Sequence, residues 1–257
     1  MLEKRLNKPT FIIAGAPRCG TGYLYHILDS NKEIYMSKPE KPEPKFFLVD
    51  EEYNKGFEYY LKKYFSNVKS ETAIGEKSTN YMESTVVPER IKKHLPDVKL
   101  IFIFRNPIKR AFSNYLWSKK NGLEKLDFYE ALLKEEEREK TLDQKYRYAR
   151  PYSYISRGFY ARYIKNYLKY FDKKNILFLL FEEFITERDV ICKRIYKFLN
   201  VSYRIPDLEQ NIKINQANDG TQEMSEHEYN YLKEIYKNEN KELALIAGLD
   251  LTIWDTI

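Results

Sequence analysis

Residues 11–28, FIIAGAPRCGTGYLYHIL, decide the fold, because they have the pattern of a buried strand, a glycine-containing turn and a helix. Residues 11–16 are apolar at every position, which is typical of a strand covered on both faces. The helix is predicted over residues 22–30. In such a turn several backbone N–H groups point at one spot, and the helix dipole adds positive potential there. The segment therefore predicts a loop that binds a phosphate-like anion.

The loop differs from the ATP-binding signature G-x-x-x-x-G-K-[ST]. It reads GAPRCGT over residues 15–21, so Thr21 stands where that signature has its lysine. The lysine that reaches the outer phosphates and the following hydroxyl for magnesium are both missing. The glycines still allow close approach to an oxyanion, and Arg18 adds charge. We therefore expect a nucleotide with one phosphate at its 5′ side, with a tight turn that binds no ligand as the alternative.

A second candidate anion site follows the apolar segment 98–104, which predicts another buried strand. Arg105 comes directly after this strand, and ligands of open α/β sheets gather outside the carboxyl ends of the strands. Asn106 is a good N-cap for a helix that would carry Ser113. Arg105 can bind a phosphate with two donors, and Ser113 can add a hydroxyl. The alternative is an arginine that caps the sheet edge or pairs with a carboxylate.

Strands and helices alternate along the rest of the chain. This alternation predicts an α/β, P-loop-like three-layer fold, in which helices flank a central, mostly parallel sheet. We expect a single domain over residues 1–257. Further strands are predicted over residues 73–76 and 175–181, and helices over residues 53–65, 86–96, 106–120, 157–171 and 187–201, in the first half of residues 126–154, and in the tail before Gly248.

Composition limits the function classes. The chain is 43% hydrophobic and 16% aromatic, which favours a folded protein, and its net charge of +6 suits an anionic ligand without indicating nucleic acid. Two cysteines and three widely spaced histidines predict neither a disulfide framework nor a metal site. No signal segment or membrane-spanning run is evident, so we expect a cytoplasmic protein, with loss of an anchor as an open alternative.

Two motifs together carry a family resemblance. GAPRCGTGYL resembles the phosphosulfate loop of the sulfotransferase family, and RNPIKRAFSNYL resembles its 3′-phosphate motif. KPEPKFF (41–47) and GEKSTNY (75–81) are similar to segments of the heparan sulfate glucosaminyl sulfotransferase branch. The resemblance implies the donor 3′-phosphoadenosine 5′-phosphosulfate (PAPS), the product 3′,5′-adenosine bisphosphate (PAP) and no metal. It assigns donor binding to Arg18, Cys19, Gly20, Thr21, Gly22, Tyr23, Arg105 and Ser113.

The same resemblance assigns catalytic roles to four charged residues. Glu43 falls on the catalytic base, and Lys77 falls on a lysine that faces the transferring sulfuryl group. Arg18 falls on the basic residue of the loop, and Lys45 stands where the branch has a histidine. The implied reaction is in-line transfer to a hydroxyl or an amine, with Glu43 removing the acceptor proton. Without the resemblance, Glu43 would be read as a solvated surface carboxylate.

The acceptor and the oligomeric state stay open at this point. The branch favours a glycan, while a phenol, a lipid, a polyketide or another small molecule remains an alternative. A small P-loop kinase and a non-catalytic nucleotide-binding protein are the competing classes. Residues 144–154 are a candidate part of the acceptor cleft, and the helix before them is a candidate lid. The alternative is a solvated helix followed by a loop that packs on the core. KINQANDGT (213–221) departs from the branch's Lys-Gly-Arg donor loop.

Overall fold

The computed structural model describes residues 6–146, 148–205 and 223–254. The chain divides into two compact units, Met1–Ile103 with Asn166–Ile214 and Phe104–Lys165 with Asn215–Ile257. The single domain expected from the sequence stays a prediction. Within the described ranges, no helix combines the length and the apolar character needed to cross a bilayer.

A five-stranded sheet organises the first unit, and its strands are β1 (Phe11–Gly15), β2 (Ile34–Met36), β3 (Ala73–Lys77), β4 (Lys99–Phe104) and β5 (Ile176–Leu180). The strand order is β2-β3-β1-β4-β5. β1 pairs in parallel with β3 and β4, and β2 pairs in parallel with β3. Every residue of β1 and β3 is buried, as expected for strands covered on both faces. The predicted α/β fold with a parallel sheet is confirmed.

The helices described in the structure lie between the strands and after them in sequence. In chain order they are α1 (Thr21–Asp29), α2 (Asp50–Tyr53), α3 (Phe57–Phe65), α4 (Val87–His94), α5 (Pro107–Lys120), α6 (Phe128–Leu133), α7 (Glu135–Lys140), α8 (Tyr160–Leu168), α9 (Phe181–Thr186), α10 (Arg188–Leu199) and α11 (Glu226–Ala247).

Two predicted helices are interrupted, and two short elements were missed. The helix expected over residues 53–65 begins only at Phe57, because Gly56 has φ 89° and separates it from α2. The charged helix after residue 126 is broken at Lys134 into α6 and α7. β2 has three residues, too few for a period to show. α9 follows β5 without an intervening turn residue, so the sequence carries no boundary signal there.

The second unit has its own hydrophobic core between α5, α6 and α11. Asn106 caps α5 as predicted, since its side-chain oxygen accepts from the N–H groups of Ile108 (2.9 Å) and Lys109 (3.2 Å). Gly248 ends α11 in the left-handed conformation, also as predicted. The core consists of Ile108, Ala111, Tyr115, Leu116, Phe128, Ala131, Leu132, Tyr154, Leu232 and Tyr236.

Candidate functional site

The loop between β1 and α1 has the geometry of an anion cradle. Gly20 is the N-cap of α1 with φ 82°, and a Cβ atom built there would lie 2.7 Å from the ring of Phe181. Both the backbone conformation and the space therefore require glycine at this position. The Gly20 carbonyl accepts the first helical hydrogen bond, from Leu24 N–H at 3.1 Å. The chain thus enters α1 through a left-handed turn packed against the ring of Phe181.

The side chains of the loop differ in what they can offer a ligand. Thr21 and Cys19 are buried. The Cys19 thiol contacts the Pro17 carbonyl oxygen at 3.6 Å, so the contribution left to Cys19 is its main chain. Arg18 is partly exposed, with a left-handed φ of 68°, and Gly22 is also partly exposed. The loop therefore carries one guanidinium, that of Arg18, next to the main chain of residues 19–22.

A carboxylate and an ammonium group meet where β3 ends. β1 and β3 run parallel, so the end of β3 lies at the same sheet edge as the cradle. Lys77 is only 4% exposed, and its Nζ lies 3.0 Å from Glu43 Oε1. Thr79 donates its backbone N–H to Glu43 Oε2 at 3.1 Å, and its hydroxyl lies 3.3 Å from each oxygen. The structure thus brings Glu43 and Lys77 together and fixes the Glu43 carboxylate from two sides.

A second carboxylate at the same place was missed by the sequence analysis. Glu40 Oε1 lies 3.3 Å from Lys77 Nζ, and Glu40 Oε2 lies 3.2 Å from His26 Nε2. A Cβ atom built on Gly22 would lie 3.5 Å from Glu40 Oε1, so this carboxylate reaches the first turn of α1. Glu40 stands in a lysine- and proline-rich loop, where nothing in the residue pattern separates it from a solvated glutamate.

The loop that carries Glu43 is attached to the end of β3 through its main chain. The Lys45 N–H donates to Ser78 Oγ at 2.9 Å, and the Phe47 N–H donates to the Tyr81 hydroxyl at 3.1 Å. The ring of Phe46 stacks on Tyr60 with centroids 4.5 Å apart. Glu43 is therefore a partly buried, hydrogen-bonded carboxylate, and the solvated reading is wrong. Lys45 itself is partly exposed, with φ 48°.

Glu76 is a fully buried carboxyl on β3, next to Lys77 in sequence. Burial raises the pKa of Glu76 from 4.5 to about 8, and the charge of Glu43 adds to the increase, against the opposing effect of the Tyr81 and Tyr60 hydroxyls. At neutral pH the side chain is consequently mostly uncharged.

An aromatic surface borders the cradle within the first unit. Tyr23, on the first turn of α1, lies with its ring centroid 5.4 Å from that of Phe184. A cleft of about 470 Å³ is lined by Tyr23 and by residues 184–190.

Arg105 and Ser113 belong to the second unit. Arg105 follows β4 directly and is partly buried, and its carbonyl oxygen accepts from the Tyr160 hydroxyl at 2.9 Å. Ser113 is 8% exposed on α5, whereas Lys109, one turn earlier, is exposed. The two predicted phosphate-binding side chains therefore stand at the end of a strand and on the helix that follows it, as expected from the motif.

The acidic helix α7 is bonded to the tyrosine-rich stretch that follows it. Glu135 is 5% exposed and accepts from the N–H groups of Ile155 and Ser156. Glu124 accepts from Arg138 and from the Tyr154 hydroxyl, both at 2.7 Å. These bonds favour a packed helix over a lid. Residues 213–221, where the sequence departs from the Lys-Gly-Arg donor loop, lie outside the described residues. The described residues hold no group of three or more His, Cys, Asp or Glu that could bind a metal ion.

Comparison with known proteins identifies the family. The protein-family model described as the sulfotransferase domain matches residues 8–244 of this chain. The chain belongs to the sulfotransferase family. Heparan sulfate glucosamine 3-O-sulfotransferase 5 of Homo sapiens is 30% identical over 197 residues, which cover 77% of this chain and 55% of that protein. The bifunctional heparan sulfate N-deacetylase/N-sulfotransferase 1 of Xenopus laevis is 28% identical over 209 residues, or 78% of this chain and 23% of that protein.

The chain thus spans about half, or less, of the length of these two sulfotransferases. A solved structure matches it over nearly its whole length. The crystal structure of a sulfotransferase from Alicyclobacillus acidocaldarius has a TM-score of 0.81 and 28% identity, and covers 97% of this chain and 99% of that one. The resemblance deduced from the two motifs is therefore confirmed at the level of family and fold.

Proposed function

We propose that this sulfotransferase-family chain is an enzyme that transfers a sulfuryl group from PAPS to a hydroxyl or an amine of an acceptor, and that the acceptor is a glycan. The observation that carries the proposal is the Glu43 carboxylate, 3.0 Å from Lys77 Nζ and bonded to Thr79. It lies at the sheet edge where the lysine-free anion loop leaves β1. A general base, a cation and an anion cradle at one edge are the parts that sulfuryl transfer requires.

Each residue has a distinct role in the proposed reaction. Glu43 removes the proton of the acceptor, a contribution of about 10²–10⁴-fold to the rate. Lys77 stabilises negative charge on the sulfuryl oxygens and the leaving phosphate, and the loop's main-chain N–H groups act as preorganised donors. Arg18 and Lys45 add positive charge. Fixed cations therefore supply the stabilisation that a metal ion gives in many phosphoryl transfers.

The donor is inferred from the composition of the two motifs. The first loop lacks the lysine of triphosphate-binding loops, which favours a single 5′ phosphosulfate. We assign the 3′-phosphate to Arg105 and Ser113, and the main-chain contacts to residues 19–22. Tyr23 and the cleft beside it suit the adenine, because aromatic rings stack on bases. The single domain over residues 1–257 and the cytoplasmic location stay predictions.

The acceptor class rests on the relatives. One is named for 3-O-sulfation of heparan sulfate glucosamine and the other for its N-sulfation, so a glycan hydroxyl and a glycan amine are both supported. A phenol, a lipid, a polyketide or another small molecule stands as the alternative acceptor. An acceptor screen with labelled PAPS, covering sulfated and unsulfated glycans, phenols and lipids, separates these alternatives. Labelled product with a glycan is the expected result.

Two measurements test the assigned residues. Glu43→Gln should retain PAP binding and lose turnover, with the exposed Glu58→Gln as a matched control that changes neither. Activity that survives Glu43→Gln would remove Glu43 as the base.

Calorimetry should show tighter binding of PAP than of AMP, because AMP lacks the 3′-phosphate. Equal affinities would remove the role given to Arg105 and Ser113.

A further inference from the structure

Lys77 is shared between two carboxylates. Its Nζ lies 3.0 Å from Glu43 Oε1 and 3.3 Å from Glu40 Oε1, and the side chain is 4% exposed. The Lys77 ammonium group donates a hydrogen bond to Glu43 and forms an ion pair with Glu40. The proposed reaction uses Glu43 as the base and Lys77 as the cation, but it gives no role to Glu40.

Glu40 is held in place from its second oxygen. Glu40 Oε2 lies 3.2 Å from Nε2 of His26, a residue of α1 whose side chain is 40% exposed. Glu40 Oε1 also approaches Gly22, where a Cβ atom would lie 3.5 Å away. The carboxylate therefore stands between Lys77 and the first turn of the helix whose N-terminus forms the anion cradle.

The charge of Lys77 needs a partner throughout the reaction. When Glu43 takes the acceptor proton it becomes neutral and its attraction for the ammonium group falls. Without Glu40, the almost fully buried ammonium group would then be held only by the anionic groups of the donor, whose positions change as the sulfuryl group is transferred. Glu40 takes no part in this proton transfer, and its carboxylate stays 3.3 Å from Lys77 Nζ. The same negative charge repels an anionic ligand in the cradle.

We propose that Glu40, placed by His26, is a positioning residue that holds Lys77 during turnover at the expense of weaker donor binding. This inference rests on the proposed function. Its consequence is that removal of the charge changes turnover and nucleotide affinity in opposite directions. A merely structural role for Glu40 would instead lower both together.

Glu40→Gln tests the proposal, because it removes the charge and keeps the shape of the side chain. We expect kcat to fall about tenfold, since Lys77 loses the charged partner that holds it in place. We expect PAP, measured by calorimetry, to bind about threefold more tightly, since one repulsive charge is gone. The matched control is Glu52→Gln, which removes a surface carboxylate paired with Lys55 and Lys63 in the same unit and should change neither quantity.

An unchanged kcat in Glu40→Gln would overturn the proposal, and so would PAP affinity that stays equal or weakens. The PAP measurement needs no acceptor, so it decides the charge effect even if the wild-type chain transfers no sulfuryl group. Absence of wild-type transfer to every acceptor would contradict the proposed function itself. The two failures are therefore distinguishable.

Discussion

The Thr79 N–H donates to Glu43 Oε2 at 3.1 Å, while the Thr79 hydroxyl lies 3.3 Å from both oxygens of the same carboxylate. Thr79 follows Lys77 by two residues at the end of β3, so a short segment supplies both a cation and two neutral donors to one carboxylate. The hydrogen bond from the Thr79 main chain fixes the orientation of the proposed base, since this segment directly follows the fully buried β3. A substitution of Thr79 or of Lys77 would each remove a partner of the Glu43 carboxylate.

Thr79→Val removes the hydroxyl donor and keeps the main-chain bond. We expect kcat to fall about tenfold, because a hydrogen bond to a charged group contributes roughly 1.5 kcal/mol or more. PAP affinity should not change, since Glu43 is assigned to the acceptor. Thr79→Ser restores a hydroxyl and should recover most of the activity. Steady-state kinetics that place the valine and serine variants level would remove the hydroxyl from the mechanism.

Lys77→Met removes the ammonium group from between Glu43 and Glu40. Two partly buried carboxylates then face each other without a counter-charge, and the charge that develops on the sulfuryl group loses its cation. We expect a loss of about 10²–10³-fold in kcat, together with weaker PAP binding. Lys77→Arg keeps the charge and should lose less. Single-turnover assays with labelled donor measure the effect, and methionine and arginine variants of equal activity would show that the charge is not needed.

Residue patterns and geometry account for different parts of this molecule. The apolar runs of β1, β4 and β5 predicted most of the sheet, because a strand buried on both faces is usually apolar throughout, whereas β3 ends in the charged residues Glu76 and Lys77. The N-cap at Asn106 and the end of α11 at Gly248 were also predicted from the sequence, since both depend on the local backbone. β2 was not predicted, because its three residues are too few to show the alternation of apolar and polar residues in a strand.

The candidate site was likewise only partly assigned from the sequence. Glu43 and Lys77 were assigned through the resemblance to a family, and in the structure their charged groups lie 3.0 Å apart. Glu40 and His26 were not assigned, because their 3.2 Å contact joins a helix to a loop 14 residues later in the chain. No spacing rule applies to such a pair, and only the path of the loop brings the two groups together.

Glu135 provides a stability test in the second unit. It accepts from the Ile155 and Ser156 N–H groups, so Glu135→Ala leaves two amides without their acceptor. We expect unfolding free energy to fall by about 2–4 kcal/mol. The neighbouring Glu136 is 84% exposed and pairs with Lys140, so Glu136→Ala should change it by less than about 0.5 kcal/mol. Urea unfolding that finds the two variants equal would favour a loosely attached lid for α7.

Glu76 predicts a pH dependence of stability whose sign follows from burial. Its pKa is raised from 4.5 to about 8, so between these values the folded chain holds a proton that the unfolded chain releases. Protonation therefore favours the folded state, and the unfolding free energy should decrease as the pH rises through this window. A shift of this size corresponds to at most about 5 kcal/mol.

Glu76→Gln isolates this effect, because glutamine has nearly the same shape and does not titrate. Groups that do not interact with Glu76 contribute equally to both proteins, so the difference in unfolding free energy reports the titration of Glu76 and its coupling to Glu43. We expect the variant to gain stability relative to wild type between pH 5.5 and pH 8.5, as measured by urea unfolding at several pH values. The exposed Glu58→Gln is the matched control and should give a difference that stays flat across the same range. A flat difference for Glu76→Gln as well would mean that the buried carboxyl ionises as readily in the folded chain as in the unfolded one.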